Sequence, residues 1–203
     1  MVNKPVRIAV LVSGGGTNLQ ALIDANLQNG KIALVVSSKS GVYALERAAK
    51  AGIASAVIER RNSTREAFEE KLEALLAQYE IELIILAGFL TILSPDFTAR
   101  HPRQIINVHP SLIPAFCGEG FYGLRVHEAA LGRGVKLTGA TVHFVNEIPD
   151  GGEIILQKAV EILPGDTPEI LQRRVMEQAE WLLLPQAAER VCAEIIRCRD
   201  NSD

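Results

Sequence analysis

The sequence predicts an α/β fold, built as a doubly wound, mostly parallel open sheet with helices on both faces. Short runs of β-branched and other apolar residues alternate with longer segments of helical period, the order typical of parallel α/β sheets. The first five apolar runs are nearly continuous, as in strands that are covered on both faces. Only a turn-rich segment separates the last two runs, so a hairpin or mixed edge completes the predicted sheet.

Each element follows from its own pattern of residues. Apolar runs bounded by Gly, Ser or Asn predict strands at Val6–Val12, Ile32–Ser37, Ala54–Ile58, Leu83–Ala87, Gln104–Val108, Thr138–Phe144 and Ile154–Val160. Helical spacing of apolar residues predicts helices at Asn18–Asn29, Tyr43–Ala51, Arg65–Tyr79 and Pro95–Arg100. These helices connect successive strands of the parallel part of the sheet, and right-handed crossovers are expected.

The C-terminal part of the chain is predicted to be helical. Residues from Thr167 to about Arg199 form one or two helices, with a break or kink around Pro185 because proline lacks a backbone donor. We see no internal repeat, low-complexity tract or Pro/Gly-rich linker that would divide the sequence. Residues 1–203 are therefore expected to form a single domain.

The composition is that of one ordinary globular domain. The chain has 203 residues, of which 48% are hydrophobic and 22% charged, and its formal net charge is -3. This charge argues against general affinity for nucleic acid or an anionic membrane, because both need a surplus of Lys and Arg. Any phosphate that the protein binds must therefore be held locally.

The cysteines and the apolar runs bear on location. Cys117, Cys192 and Cys198 are an odd number in a chain without a recognisable leader, so we expect no disulfide framework and a cytoplasmic location. The longest strongly apolar runs, such as Leu83–Leu86 and Trp181–Leu184, are far shorter than the roughly 20 residues that a helix needs to cross a bilayer. No membrane span is expected.

A glycine-rich segment, Ser13–Gln20, joins the first predicted strand to the first helix. Glycines allow close approach of a ligand to the backbone, and the start of a helix favours an anion. This predicts phosphate binding by the amides of Gly16 and Thr17, helped by the Asn18 side chain. The alternative is a tight turn in which Thr17 or Asn18 caps the helix. Gln20 interrupts a dinucleotide fingerprint, so a mononucleotide or sugar phosphate fits better than NAD.

A second group of polar residues follows the fifth predicted strand. Asn107 and His109 are two residues apart and project on the same side of a strand. An amide donor beside an imidazole suits acyl chemistry, since the amide stabilises an oxyanion while the imidazole moves a proton. Asp150 is the candidate third partner. The alternatives are a capped histidine packed on Pro110, an asparagine that satisfies loop backbone, and an ordinary turn aspartate.

No side chain in the sequence is typical of an activated nucleophile. Ser111 lacks the glycine elbow of the α/β hydrolases, and nothing in the spacing ties Cys117 to a base. We therefore expect direct transfer between two bound substrates. The four histidines show no spacing of metal ligands, so no metal is expected, and His143 is predicted to be a packed strand residue.

With these residues in view, the sequence resembles the phosphoribosylglycinamide formyltransferases, single-domain enzymes of purine synthesis. The resemblance extends from about Val6 to Pro185. It is carried by Ser13–Gln20, Leu86–Leu90, Ile92–Pro95, Asn107–Pro114, Thr138–Val145 and Asp150–Gly152.

The resemblance implies the reaction and the catalytic roles. A formyl group would pass from 10-formyltetrahydrofolate, as co-substrate, to the amine of glycinamide ribonucleotide. Asn107 would bind the formyl oxygen, His109 would handle protons and oxyanion charge, and Asp150 would pair with the histidine and order a water. Thr141 stands where the family has Ser or Thr near that water, and Glu180 would contact the amine side of the substrate.

The resemblance also implies the binding residues. The substrate phosphate would bind to Gly16, Thr17 and Asn18. Arg65 would be a further contact near the phosphate. The implied folate-binding residues are Arg65, Leu90, Leu93, Asn107, Ile148 and Asp150. Thr91 replaces an Arg or Lys of many relatives, and the stretch Cys117–Gly123 is predicted to form a mobile lid. We expect only small-molecule substrates as partners, with no nucleic acid and no membrane, and a monomer or homodimer.

Three other functions are compatible with parts of the sequence. Methionyl-tRNA formyltransferase and formyltetrahydrofolate hydrolase resemble the same core, but each carries a further domain, and the length of this chain argues against both. A non-catalytic nucleotide-binding module would need the glycine-rich segment but not Asn107, His109 and Asp150 together.

Overall fold

The computed structural model describes residues 4–61 and 63–201, so the outermost residues of the predicted domain lie outside the described part. The strands are β1 (Val6–Val12), β2 (Gly30–Ser37), β3 (Ser55–Val57), β4 (Leu83–Leu86), β5 (Ile105–His109), β6 (Leu137–Phe144) and β7 (Ile154–Glu161). The helices are α1 (Thr17–Asp24), α2 (Tyr43–Lys50), α3 (Arg65–Gln78), α4 (Pro95–Arg100), α5 (Leu124–Arg133), α6 (Pro168–Val175) and α7 (Trp181–Asp200).

The seven strands form one sheet in the order β3-β2-β1-β4-β5-β6-β7. The pairs from β3 through β5 are parallel, whereas β5 pairs with β6 and β6 with β7 in antiparallel fashion. The predicted doubly wound sheet with a mixed edge and a C-terminal helix is therefore confirmed. The order also puts a topological switch point between β1 and β4, where ligands of such folds bind.

Both faces of the sheet are covered. Alternate residues of β1 enter different cores: Val10 packs in the layer with α1 and α7, whereas Leu11 packs in the layer with α3 and α4. This alternation follows from the two-residue period of a strand. The apolar faces of the helices, which include Leu19 of α1 and Phe68 of α3, complete the two layers.

Two predicted elements are shorter than their patterns indicated. Strand β3 is a three-residue edge strand, and Val57 is 43% exposed, so the expected cover on both faces is wrong for this strand. Helix α1 ends at Asp24 rather than Asn29. The left-handed backbone of Asn26, with φ of 46°, explains the early end, because such a residue terminates a helix.

Helix α5 is absent from the prediction. Its two ends are marked by glycines of positive φ, Gly123 at 54° and Gly134 at 75°. Its buried residues are Val126, His127 and Ala130, so a polar histidine interrupts the apolar face of this short helix. The helix follows the glycine-rich stretch that the sequence presented as a loop, so the turn signals masked the short helical pattern.

The C-terminal helical segment deviates from regular α-helix, but not at the predicted place. A π-helical turn, Met176–Glu180, separates α6 from α7, and Pro185 lies inside α7. A proline clashes with the carbonyl four residues earlier, which is that of Trp181. The widened turn ends immediately before this residue, so the chain accommodates the proline by a change of helical pitch and not by a break.

Candidate active site

Most of the predicted site residues lie at or after the carboxyl ends of parallel strands. The glycine-rich segment follows β1, and Asn107 and His109 lie at the end of β5. Asp150 belongs to the connection between β6 and β7, and its backbone is left-handed with φ of 54°. In open α/β sheets this edge, beside the switch point, is where ligands bind.

Gly16 is the N-cap residue of helix α1 and has a left-handed conformation with φ of 72°. No side-chain hydrogen bond caps this end of the helix, and the amide of Gln20 donates to the Gly16 carbonyl over 2.9 Å. A Cβ atom at Gly16 would lie 2.7 Å from Cβ of Ala44, so a side chain does not fit here without displacing α2. The turn therefore requires glycine, and its first amides suit an anion.

Arg47 of α2 lies beside this turn, although the sequence analysis did not single it out. Its Nε donates to the Gly15 carbonyl over 2.9 Å, and its Nη1 donates to Oε1 of Gln20 over 2.8 Å. The guanidinium also lies over the ring of Tyr43, 4.8 Å from the centroid. Arg47 thus braces the glycine-rich turn and puts a permanent positive charge next to it. The position of Arg47 on an amphipathic helix does not by itself predict this role.

The side chain of Asn18 is committed to another predicted residue. Asn18 and Glu180 are each 7% exposed, and Nδ2 of Asn18 donates to Oε2 of Glu180 over 2.7 Å. Glu180 ends the π-helical turn. Burial raises the pKa of Glu180 to about 7, against the opposing effect of the Asn18 hydrogen bond. The structure thus joins one end of α1 to the C-terminal helices through a buried polar pair.

Asn107, His109 and Asp150 lie together, from three positions that the sequence separates by up to 43 residues. Nδ1 of His109 is 3.5 Å from Oδ2 of Asp150, and Nδ2 of Asn107 donates to Oδ1 of Asp150 over 3.4 Å. The predicted grouping of these three side chains is thus seen in the structure. An amide, an imidazole and a carboxylate in contact can stabilise an oxyanion and move a proton.

Burial and neighbouring charges act in opposite directions on His109 and Asp150. Burial lowers the pKa of His109, while the Asp150 charge and the Phe116 carbonyl oppose this effect. For Asp150, burial acts to raise the pKa, but contacts with His143, His109 and the Gly118 amide outweigh it and lower the pKa overall. The carboxylate therefore stays ionised at neutral pH, and its charge offsets only part of the burial that lowers the pKa of His109.

His143 is the packed strand residue that the sequence predicted, and it also belongs to this cluster. It lies on β6 opposite Asn107, and its Nε2 is 3.2 Å from Nδ2 of Asn107 and 3.5 Å from Oδ1 of Asp150. The side chain is buried, as predicted. The antiparallel register between β5 and β6 brings it to Asn107, and no local pattern in the sequence reveals that register.

The segment after Pro110 closes around His109 and Asp150. The Phe116 carbonyl is 2.9 Å from Nε2 of His109, and the Gly118 amide donates to Oδ2 of Asp150 over 2.9 Å. Ser111 donates to the Ala115 carbonyl over 2.6 Å, which ties up its hydroxyl within the loop. Burial, followed by the Asp150 charge, raises the pKa of the Cys117 thiol. Neither side chain is therefore an activated nucleophile.

Thr141 supports the loop that carries these contacts. Its hydroxyl donates to the Ser111 carbonyl over 2.7 Å and accepts from the Ile113 amide over 3.1 Å. Gln157 donates to the same oxygen over 3.0 Å. In the structure, Thr141 thus holds the backbone after His109 in place.

The residues predicted to bind folate lie on surface segments and differ in exposure. Leu90 and Ile148 are 55% and 57% exposed, whereas Leu93 is buried. The Leu90 amide donates to Oγ of Ser13 over 3.0 Å, so the loop after β4 is joined to the loop after β1. Arg65 is exposed at the first position of α3. Exposed leucine and isoleucine side chains offer an apolar surface for a flat ring.

Over residues 4–61 and 63–201, no three His, Cys, Asp or Glu side chains form a group that could hold a metal ion. Within the same ranges, no helix has the length and apolar character that would let it cross a bilayer.

The fold and this cluster define a class of α/β enzymes that act on ligands held at the carboxyl edge of the sheet. The sequence pattern described as formyl transferase matches residues 6–187. The chain belongs to this family.

Two similar proteins of known sequence illustrate the relationship. The phosphoribosylglycinamide formyltransferase of Haemophilus influenzae is 41% identical over 96% of this chain and 91% of its own length. The trifunctional purine biosynthetic protein adenosine-3 of Bos taurus is 41% identical over 98% of this chain, which spans only 19% of that protein. The resemblance read from the sequence is therefore confirmed.

A similar solved structure agrees in fold. The crystal structure of phosphoribosylglycinamide formyltransferase from Brucella melitensis has a TM-score of 0.85 and 40% identity, and covers 94% of this chain and 97% of its own. Together, these matches do not favour the other formyl-folate enzymes or a non-catalytic module.

Proposed function

We propose that the protein transfers the formyl group of 10-formyltetrahydrofolate to the amine of glycinamide ribonucleotide in purine biosynthesis. The observation that carries this proposal is the contact of Asn107, His109 and Asp150 at the edge of the sheet that also holds the glycine-rich turn. The names of similar proteins supply the acceptor substrate, and membership of the formyl transferase family implies a formyl-folate as the donor.

The ribonucleotide phosphate would bind to the amides of Gly16 and Thr17 at the start of α1. This arrangement uses the amides that no side chain caps, and the Arg47 charge lies beside them. Asn18 would complete the turn, and its partner Glu180 would lie on the amine side of the substrate.

The folate would lie along the other side of the cluster. Leu90, Leu93 and Ile148 would contact the pterin, with polar contacts from the backbone near Asp150, and Arg65 would bind the more distant, anionic part of the molecule. The exposure of Leu90 and Ile148 supports this proposal, because apolar surface of this kind is covered when a flat ring binds.

The chemistry follows as direct attack without a covalent enzyme intermediate. The amine nitrogen would form a bond to the formyl carbon, and the carbonyl electrons would move to the oxygen. The Asn107 amide and a protonated His109 would stabilise that oxyanion. The proton lost by the amine would pass, through His109 or a water near Asp150, to the folate nitrogen. Cleavage of the bond from carbon to folate nitrogen would then release tetrahydrofolate and the formylated ribonucleotide.

The setting of the enzyme is also a proposal. We infer that it acts in the cytoplasm, as a monomer or homodimer, on small-molecule substrates and without a metal, nucleic acid or membrane. The formal charge of -3 supports the absence of nucleic acid and membrane partners, because it provides no surplus of basic residues.

A coupled assay with glycinamide ribonucleotide and 10-formyltetrahydrofolate tests the function. We expect turnover by the natural protein, a loss of at least about 100-fold in His109→Asn, and little change in His101→Asn. His101 is a matched control because it contacts Glu73 and lies outside the cluster. Transfer of formyl to methionyl-tRNA instead, or calorimetric binding of both substrates without transfer, would overturn the proposal.

A further inference from the structure

His143 has contacts that define the state of its ring. Its side chain is 1% exposed, and it faces Asn107 across the antiparallel ladder of β5 and β6. Nδ1 is 2.7 Å from the Phe144 carbonyl, and Nε2 is 3.2 Å from Nδ2 of Asn107. A carbonyl only accepts hydrogen bonds, so Nδ1 must carry a hydrogen. Nε2 also lies 3.5 Å from Oδ1 of Asp150, so in the neutral ring its lone pair and the carboxylate are two acceptors that the NH₂ group of Asn107 bridges.

The same contacts determine whether the oxygen or the NH₂ group of the Asn107 amide faces the cluster. Its NH₂ group has two hydrogens and lies between two acceptors, Nε2 of His143 and Oδ1 of Asp150, the latter at 3.4 Å. If the amide were flipped, its carbonyl oxygen would face that lone pair and that carboxylate, and three acceptors would meet without a hydrogen. The neighbours therefore favour the orientation in which the NH₂ group faces the cluster.

We propose that His143 is a positioning residue that fixes the NH₂ group of Asn107 toward the formyl oxygen. This inference rests on the proposed function. One N–H stays bonded to Nε2 of His143, and the other leaves the longer contact with Asp150 to bind the formyl oxygen. Without His143, the amide can rotate and present its carbonyl oxygen, which repels the developing oxyanion.

Two substitutions separate this role from simple packing. The oxygen of Gln reaches about as far along the side chain as Nε2 of histidine and can accept from Asn107, whereas the Asn side chain is too short. We expect His143→Asn to lower kcat roughly tenfold or more with both KM values within about twofold, because only part of the oxyanion stabilisation is lost. His143→Gln should recover kcat to within about threefold of the natural protein. Equal losses in both variants would overturn the proposal.

A double-mutant cycle with Asn107→Ala gives the decisive comparison. If His143 acts through the Asn107 amide, His143→Asn should lower kcat by less than twofold when Asn107 is already alanine. A roughly tenfold loss in both backgrounds would show an independent role and would overturn the inference. Thermal unfolding of each variant shows whether a loss of activity comes from misfolding.

A spectroscopic measurement covers variants that fail to fold. The ¹⁵N shifts of the His143 ring in the ligand-free natural protein should show the neutral tautomer with hydrogen on Nδ1. Hydrogen on Nε2, or a charged ring, would overturn the inference. This measurement needs no turnover, so failure of the proposed reaction would be distinguishable from failure of the role given to His143.

Discussion

The glycine-rich turn and the cluster of Asn107, His109, Asp150 and His143 are built in opposite ways. The turn, Gly14–Asn18, offers backbone amides from one short segment, and its shape depends on a single left-handed glycine. The cluster consists of side chains from β5, β6 and the loop after β6, which are joined by contacts across 36 and 43 residues of sequence. The turn should therefore be sensitive to changes in backbone shape, whereas the cluster should be sensitive to the loss of individual polar atoms.

The sharpest test of the cluster is Asn107→Ala. Removal of one oxyanion donor typically costs about 3–4 kcal/mol of barrier, or roughly 100–1,000-fold in kcat. The ribonucleotide KM should change little, because the phosphate would be held at the separate glycine-rich turn. Steady-state kinetics with each substrate varied in turn provide the measurement. A near-normal kcat would remove Asn107 from the catalytic residues.

Asp150→Asn tests the electrostatic half of the cluster. We expect a loss of about 100-fold in kcat/KM near neutral pH, within the usual range for acid–base groups. Burial lowers the pKa of His109 and the Asp150 charge opposes it, so removal of that charge should lower this pKa further. The limb of the pH profile that requires protonated His109 should move to lower pH. An unmoved limb would show that Asp150 does not set the charge of His109.

The same contrast explains what the sequence could predict. The turn was recognisable because consecutive glycines after an apolar strand are a local signal, and Asn107 with His109 share one strand. His143 was missed because its contact with Asn107 depends on the register of β5 and β6. Arg47 reaches Gly15 only because α2 packs beside α1, and the buried partnership of Asn18 with Glu180 depends on where the π-helical turn falls. The register of strands that are distant in sequence, and the packing of one helix on another, cannot be read from short stretches of the sequence.

For the turn, Gly16→Ala should act mainly through backbone shape. An alanine at φ of 72° is strained, and its Cβ would lie 2.7 Å from Cβ of Ala44, so we expect a loss of about 2–3 kcal/mol in unfolding free energy. The ribonucleotide KM should rise while kcat falls less than in Asn107→Ala. Gly14→Ala is the matched control for stability, since nothing lies within 4 Å of its Cβ position. Equal stability of the two variants in chemical denaturation would contradict this account.

Glu180→Gln tests the buried pair beneath the turn, and we expect its effect to be the smallest. The folded-state pKa of about 7 is above the ordinary 4.5, so the folded protein retains a proton that the unfolded chain loses as pH rises between these values. Stability from Glu180 is therefore present at acid pH and lost as pH rises through 7. Glutamine stays neutral and can still accept from Asn18. The unfolding free energy of the Glu180→Gln variant, relative to that of the natural protein, should therefore increase by about 2 kcal/mol between pH 5 and pH 8. This is less than the full pKa shift corresponds to, because the folded protein relaxes around the charged carboxylate. The exposed Glu177→Gln is the control on the same helical turn, and an equal gain there would show that burial of Glu180 is not the cause.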